Sequence, residues 1–291
     1  MTAPMDRAAH NKQIVNYYDQ NYTASRWMWT NSRALALHFG YWEETTRTDF
    51  EAQLNTNRQL ALRAGLTPGQ KVLDAGCGIG GSAIWMAETY DVEVFGITLS
   101  ADQVRRATEN ASRRGMSQRV KFSQQDYTKI DVAAESFDVV WALESVSCAL
   151  DKREFFTEAF RVLKPGGRVT LSDGFRRQRP FATQEEEVLM AQFLKGWALP
   201  DLATPDELIT PAKAAGFEQV QFQDESKRAE PSMRRLYEIG RWSAPIARFL
   251  GALKLVDSLA IQCAQGSRDQ YLAYQRGLCG YAFFSASKPA A

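Results

Sequence analysis

The sequence predicts an α/β protein built on an open, mostly parallel seven-stranded sheet with helices on both faces. Three observations predict it. Short β-rich runs alternate with segments of helical period, the first strand runs into a glycine-rich loop, and the 291 residues, 45% hydrophobic and 24% charged, suffice to bury a full core.

Taken in order, the strands are "KVLDAG" (71–76), "VEVFGIT" (92–98), "VKFSQQD" (120–126), "FDVVWAL" (137–143) and "GRVTLSDG" (167–174). Between them, "SAIWMAETY", "ADQVRRATENASRRG" and "DKREFFTEAFRVLK" carry apolar residues at helical spacing. A further helix–strand pair follows in "PDELITPAKAAGFEQVQFQD", and "CGYAFFSAS" supplies the last strand. The chain divides accordingly into a helical, aromatic-rich segment (1–65), a cofactor-binding core (66–226), a helical cap insertion (227–278) and the last strand with its tail (279–291). In the cap, Leu236, Ile239, Trp242, Ile246, Phe249, Leu250 and Leu253 form an apolar stripe. Packing on the sheet accounts for such a stripe, and so does a lid or a helix resting on a membrane surface.

Composition narrows the function. Thirty-five basic against 34 acidic residues leave a net charge of +1, which asks for no nucleic acid. The four cysteines form no CxxC pair, so neither zinc nor a disulfide framework is expected. With no signal-like apolar run and no stretch able to span a bilayer, the expectation is a reducing cytoplasm, with peripheral membrane contact left open.

The loop "KVLDAGCGIGGSA" spells Gly76-x-Gly78-x-x-Gly81. Such a loop cradles a pyrophosphate in dinucleotide enzymes, but a carboxylate just ahead of the glycines opposes an anion. Asp74 is that carboxylate, and it suits a ligand with a cationic end. The second strand ends in Thr98 where a nicotinamide site expects an acid, and the third ends in Asp126 and Tyr127, which suit an adenine.

"VLDAGCGIGG", "GITLS", "QQDY", "FDVVWALES" and "RVLKPGG", in this order over about residues 70–175, resemble the class I S-adenosylmethionine-dependent methyltransferases, whose fold is Rossmann-like. "LHFGYW", "GITLS" and "ALES" are similar to the small-molecule branch with tocopherol, sterol and natural-product sugar methyltransferases. The resemblance implies S-adenosylmethionine as cofactor and no metal. It also implies that Gly76, Gly78 and Gly80 approach the methionine part, with Asp74 holding the amino end. Thr98, Leu99 and Gln103 would meet the ribose, Asp126 and Tyr127 the adenine, and Leu143 the cofactor's exposed side. Thr98 departs from the acidic residue of many class members.

A sulfonium methyl is already activated, so the protein must align an acceptor, exclude water and dispose of a proton. Glu144 and His38 are the candidate catalytic residues. Glu144 could accept a proton or face a carbocation, while His38 is the credible imidazole base. Tyr18, Tyr22, Trp27, Phe39, Tyr41, Trp197 and Trp242 are candidates to line a lipophilic acceptor pocket. Arg176, Arg177 and Arg179, and Arg234, Arg235 and Arg241 in the cap, could clamp a diphosphate or stand as surface charges. The preferred expectation is C-methylation of an isoprenoid-like metabolite (a prenyl diphosphate, sterol or prenylated aromatic). O- or N-methylation of a natural product is the alternative, and a catalytically silent cofactor-binding protein the reading from another class.

Overall fold

The computed structural model describes residues 6–29, 34–252 and 258–290; the side chains of residues 21–29, 244–252 and 258–260 lie outside this description. The elements run α1 (Arg7–Trp29), α2 (Asp49–Ala64), β1 (Lys71–Ala75), α3 (Gly81–Tyr90), β2 (Glu93–Thr98), α4 (Ala101–Arg113), β3 (Val120–Gln124) and β4 (Phe137–Leu143). They continue with a 3₁₀ turn (Val146–Cys148), α5 (Lys152–Val162), β5 (Leu163–Arg176), α6 (Gln184–Gly196), α7 (Pro205–Ala214), β6 (Glu218–Asp224), α8 (Ser226–Ala252), α9 (Ser258–Gln275) and β7 (Cys279–Ser287).

The seven strands form one sheet in the order β3-β2-β1-β4-β5-β7-β6. β7 lies antiparallel between β5 and β6, and the other pairings are parallel. The central strands are buried on both faces, which is why they read as continuous apolar runs. In β4, Val139 and Trp141 enter a core shared with Leu60, Met86 and Phe283, while Val140 and Ala142 enter the opposite one with Phe155, Phe156 and Phe284. β5 begins at Leu163, earlier than the expected Gly167.

Helix ends follow local chemistry. Thr48 and Glu51 form a capping box on α2, and Gly65 at φ 62° closes it. The expectation of a helical segment through residue 65 is corrected between α1 and α2, where residues 34–48 are irregular among those described. Their backbone is engaged elsewhere. Phe39 N–H donates to Glu144, Gly40 N–H to Ser232, and Trp42 N–H to the carbonyl of Arg228.

The loop after β1 requires its glycines. Gly76 sits at φ +93°, and a Cβ there would lie 2.3 Å from Cβ of Ser145. Gly81 opens α3 so close to the preceding segment that a Cβ would meet the Leu35 carbonyl oxygen at 2.5 Å. Gly76→Ala is expected to lower Tm by several degrees, since the left-handed backbone alone costs about 1–2 kcal/mol before the clash. A thermal melt equal to that of the parent chain would show that the loop does not hold this conformation.

Candidate active site

Two cavities meet at the carboxyl ends of β1, β2, β4 and β5. The first encloses about 930 Å³, counting its mouth. Its floor is the β1–α3 loop with the ends of β2 and β4, and its roof is α1, through Ile14, Val15 and Tyr18, with residues 35–38. The second, about 600 Å³, is walled by Phe39, Phe193, Trp197, Leu202 and Met233, with Asp173 and Tyr281. Tyr18 and Glu144 border both.

Three titratable groups define the chemistry. Asp74 is buried at the end of β1, its Oδ2 has no hydrogen-bond partner, and desolvation pushes its pKa up to about 7. An orphaned carboxylate oxygen beside a glycine loop fits an ammonium group. His38 donates its Nδ1 proton to the Phe39 carbonyl at 2.9 Å, which makes Nε2 the lone-pair nitrogen. That Nε2 is buried without a partner, and burial lowers the imidazole pKa to about 4. Glu144 follows β4 at φ 50°, and its Oε1 accepts from Phe39 N–H at 2.6 Å and from the Tyr281 hydroxyl at 2.7 Å. Desolvation raises its pKa to about 8, outweighing those two bonds.

Residues 6–228 match the family model described as mycolic acid cyclopropane synthetase. The chain belongs to that family. It is a class I S-adenosylmethionine-dependent methyltransferase. It is 33% identical over 257 residues to 27-O-demethylrifamycin SV methyltransferase of Amycolatopsis mediterranei (strain S699), covering 87% of this chain and 90% of that one. Among solved structures, the [4+2]-cyclase SpnF superposes with a TM-score of 0.80 at 27% identity, covering 97% of both chains. Geranyl diphosphate C-methyltransferase from Streptomyces coelicolor A3(2), solved with Mg²⁺, geranyl diphosphate and S-adenosyl-L-homocysteine, shares the fold. Its TM-score is 0.74 at 17% identity, with 99% of this chain and 100% of that one covered.

In this methyltransferase of the cyclopropane synthetase family, the first cavity gathers many of the residues that the resemblance named. Asp74, Gly76, Gly78, Thr98, Leu99, Gln103, Tyr127 and Leu143 all border it. The Thr98 hydroxyl donates to Gln103 Oε1 at 2.6 Å, and the Tyr127 hydroxyl to the Ser145 carbonyl at 2.8 Å. Gly80 departs from the expectation: a Cβ there would strike Phe122 and Ala107, so this glycine serves packing, and Gly81 with Ser82 borders the cavity instead. Asp126 stands in an adjoining recess with Leu99 and Tyr127, where Asn11 donates to its Oδ2 at 3.0 Å and Thr128 to its Oδ1.

The aromatic candidates separate. Tyr18, Phe39 and Trp197 border the second cavity. Tyr41 instead packs edge-on to Phe283, with its ring centroid 5.7 Å away, and faces a shallow outer groove. Trp242 is 68% exposed on α8 beneath the Arg241 guanidinium and lines neither cavity. The side chains of Tyr22 and Trp27 lie outside the described residues. Tyr281 and Asp173 were missed by the sequence reading. Asp173 had a signal, a carboxylate ending a strand at the active face; Tyr281 had none, since it depends on β7 entering beside β5.

The arginine clusters are engaged by carboxylates. Arg177 pairs with Asp224 at 2.6 Å and Arg179 with Asp201 at 2.5 Å, while Arg176 lies 3.7 Å from Asp201. Arg234, Arg235 and Arg241 approach Glu230, Asp49 and Glu238. A diphosphate clamp would have to break these pairs. Among the described residues, no helix is long and apolar enough to cross a membrane.

The state of Asp74 sets a pH dependence for cofactor binding. Its carboxyl must lose a proton to pair with an ammonium, and with a pKa of about 7 in the free protein it holds that proton at lower pH. Affinity for S-adenosylhomocysteine is therefore expected to fall toward tenfold per pH unit below about 7 and to level off above. Calorimetry in buffers of different ionisation enthalpy should detect proton release at pH 6; a flat affinity from pH 5.5 to 8 would contradict it.

Proposed function

We propose that the enzyme methylates a hydroxyl oxygen of a bulky, largely apolar natural product, with His38 as the base. The observation that carries this reading is the tautomer of His38: with Nδ1 donating to a carbonyl, the buried Nε2 is left as an acceptor in the cofactor cavity. Because its pKa is held near 4, the imidazole of the free protein is neutral at physiological pH, so Nε2 can accept a hydrogen bond from a hydroxyl. When bound, S-adenosylmethionine supplies an electrophilic methyl and departs as S-adenosylhomocysteine.

The chain's own groups do the rest. Asp74 receives the ammonium of the cofactor and the β1–α3 loop receives its methionine part. Phe39 ties the two catalytic candidates together, since its carbonyl orients His38 and its N–H orients Glu144. Phe39, Trp197, Leu202 and Met233 exclude water around the acceptor. Glu144, with its pKa at about 8, is mostly protonated at neutral pH and offers a hydrogen bond at the wall between the cavities. The 33% identity to a methyltransferase whose name specifies an O-demethyl substrate supports oxygen as the acceptor atom. The test is a screen of lipophilic hydroxylated acceptors with methyl-labelled cofactor. Methyl ethers are expected, and a methyl on carbon as the sole product would overturn the reading.

A further inference from the structure

The second cavity carries a carboxylate that methyl transfer does not require. We propose that Asp173 selects the acceptor, seating one of its hydrogen-bond donors, a hydroxyl or an ammonium, and turning away anionic head groups. This rests on the reading of that cavity as the acceptor chamber.

Asp173 and Glu144 come from the carboxyl ends of the adjacent strands β4 and β5, and both border the chamber. The Oε1 of Glu144 is taken up by Phe39 and Tyr281. Asp173 accepts from Ser147 N–H through Oδ2 and from Gly174 N–H through Oδ1, each at 2.8 Å. The Ser147 side chain donates to it as well, and of the roughly four lone-pair sites of a carboxylate this leaves one for a ligand. Lys152 stands outside the chamber's lining. Its ammonium donates to the Ser147 and Ala149 carbonyls, fixing the 3₁₀ turn that presents the Ser147 N–H. The turn therefore holds Asp173 from one side and leaves it bordering a chamber whose other polar groups include Glu144, Ser147, Gln270 and Tyr281.

Charge balance gives the selectivity. Among the described residues that line the chamber there is no lysine or arginine, and the basic run after β5 is paired with Asp201 and Asp224. A buried carboxylate is costly unless something donates to it, and a phosphate brought beside it would add repulsion to desolvation. Capping the 3₁₀ turn is the simpler role for Asp173, but that role alone gives no preference among acceptor head groups.

The test uses three probes with one apolar body, geraniol, geranylamine and geranyl diphosphate, titrated calorimetrically into the full-length protein saturated with S-adenosylhomocysteine. The alcohol or the amine is expected to bind at least tenfold more tightly than the diphosphate, and Asp173→Asn to narrow that gap at least tenfold. A larger loss for the amine assigns an ammonium to Asp173; equal losses for amine and alcohol, with the diphosphate not weakened, assign a hydroxyl. A purely structural defect would weaken all three alike, and that result overturns the proposal. So would a diphosphate that binds the parent protein as tightly as the alcohol, unchanged ratios in the variant, or no binding by any probe. Affinity for S-adenosylhomocysteine reports folding of the variant, and the methylated atom is determined separately, so oxygen methylation can stand or fall independently of these ratios.

Discussion

Replacing His38 by alanine is expected to lower kcat by about 10²–10⁴-fold, the span ordinarily supplied by a positioned general base. The affinity for S-adenosylhomocysteine should stay nearly unchanged, because His38 reaches the site through residues 37–40 and not through the glycine loop. Any remaining product should still be the methyl ether, formed with water taking the proton. The pH profile of the parent enzyme is a companion signature. With the imidazole pKa near 4, saturated turnover should show no histidine limb between pH 5.5 and 7.5, whereas an exposed histidine would titrate in that window. Above about pH 8, ionisation of Glu144 is expected to alter the rate. A His38→Ala enzyme with full kcat would remove the base and with it the main support for oxygen methylation.

Replacing Asp74 by asparagine is expected to weaken S-adenosylhomocysteine roughly tenfold to a hundredfold, since a charge-assisted hydrogen bond contributes about 1.5–3 kcal/mol. The pH dependence of binding below 7 should vanish with it. Stability should move the other way or not at all. Unfolded, this carboxyl ionises near 3.8, whereas burial in the fold holds it protonated to about 7. The unfolded chain thus releases its proton first, and stability on this account is lost as pH rises from about 4 to 7. The amide has no proton to release, so its Tm at pH 7 should equal or exceed that of the parent chain. Unchanged cofactor affinity in a folded Asp74→Asn protein would remove Asp74 from the cofactor site.

What could be read from sequence was what is local. Asp74, Gly76, Thr98 and Leu143 belong to strand ends and one tight loop, and their positions follow from alternation and glycine spacing within about 75 residues of one another. "LHFGYW" was legible as important but not as structure. Its backbone is held by Glu144, Ser232 and Arg228, 105 residues away or more, and by Ala52, Gln53, Asn55 and Thr56 of α2, so local propensity alone does not reveal that it is a loop. Aromaticity misled for a related reason. Tyr41 and Trp42 adjoin Phe39 in sequence, yet only Phe39 reaches the acceptor chamber, and composition cannot tell which side of an irregular segment faces inward. Helix α6, which contributes Phe193 to that chamber, carries a local start signal in its Thr183–Glu186 capping box and in Glu185, Glu186 and Glu187 of its first turn, whose charges favour a helix N-terminus.

The antiparallel strand lodged between β5 and β6 also dictates an order of assembly. β6 hydrogen-bonds within the sheet to β7 and to no other described strand, so residues 218–224 have no partner until residues 279–287 have been synthesised. At about 5–20 residues per second, the ribosome leaves that edge bare for seconds while α8 and α9 are being made. The strand pairings of the cofactor half, β1 to β4, can close early, although the core behind them is completed only by Met233 and Leu236 of α8 and Phe283 of β7. The acceptor chamber cannot, because Tyr281 arrives with the final strand. A nascent chain halted before Cys279 thus exposes the open side of β5 and an unpaired β6, both templates for association with other chains. Nine late residues thereby complete the sheet, one of its cores and the chamber together.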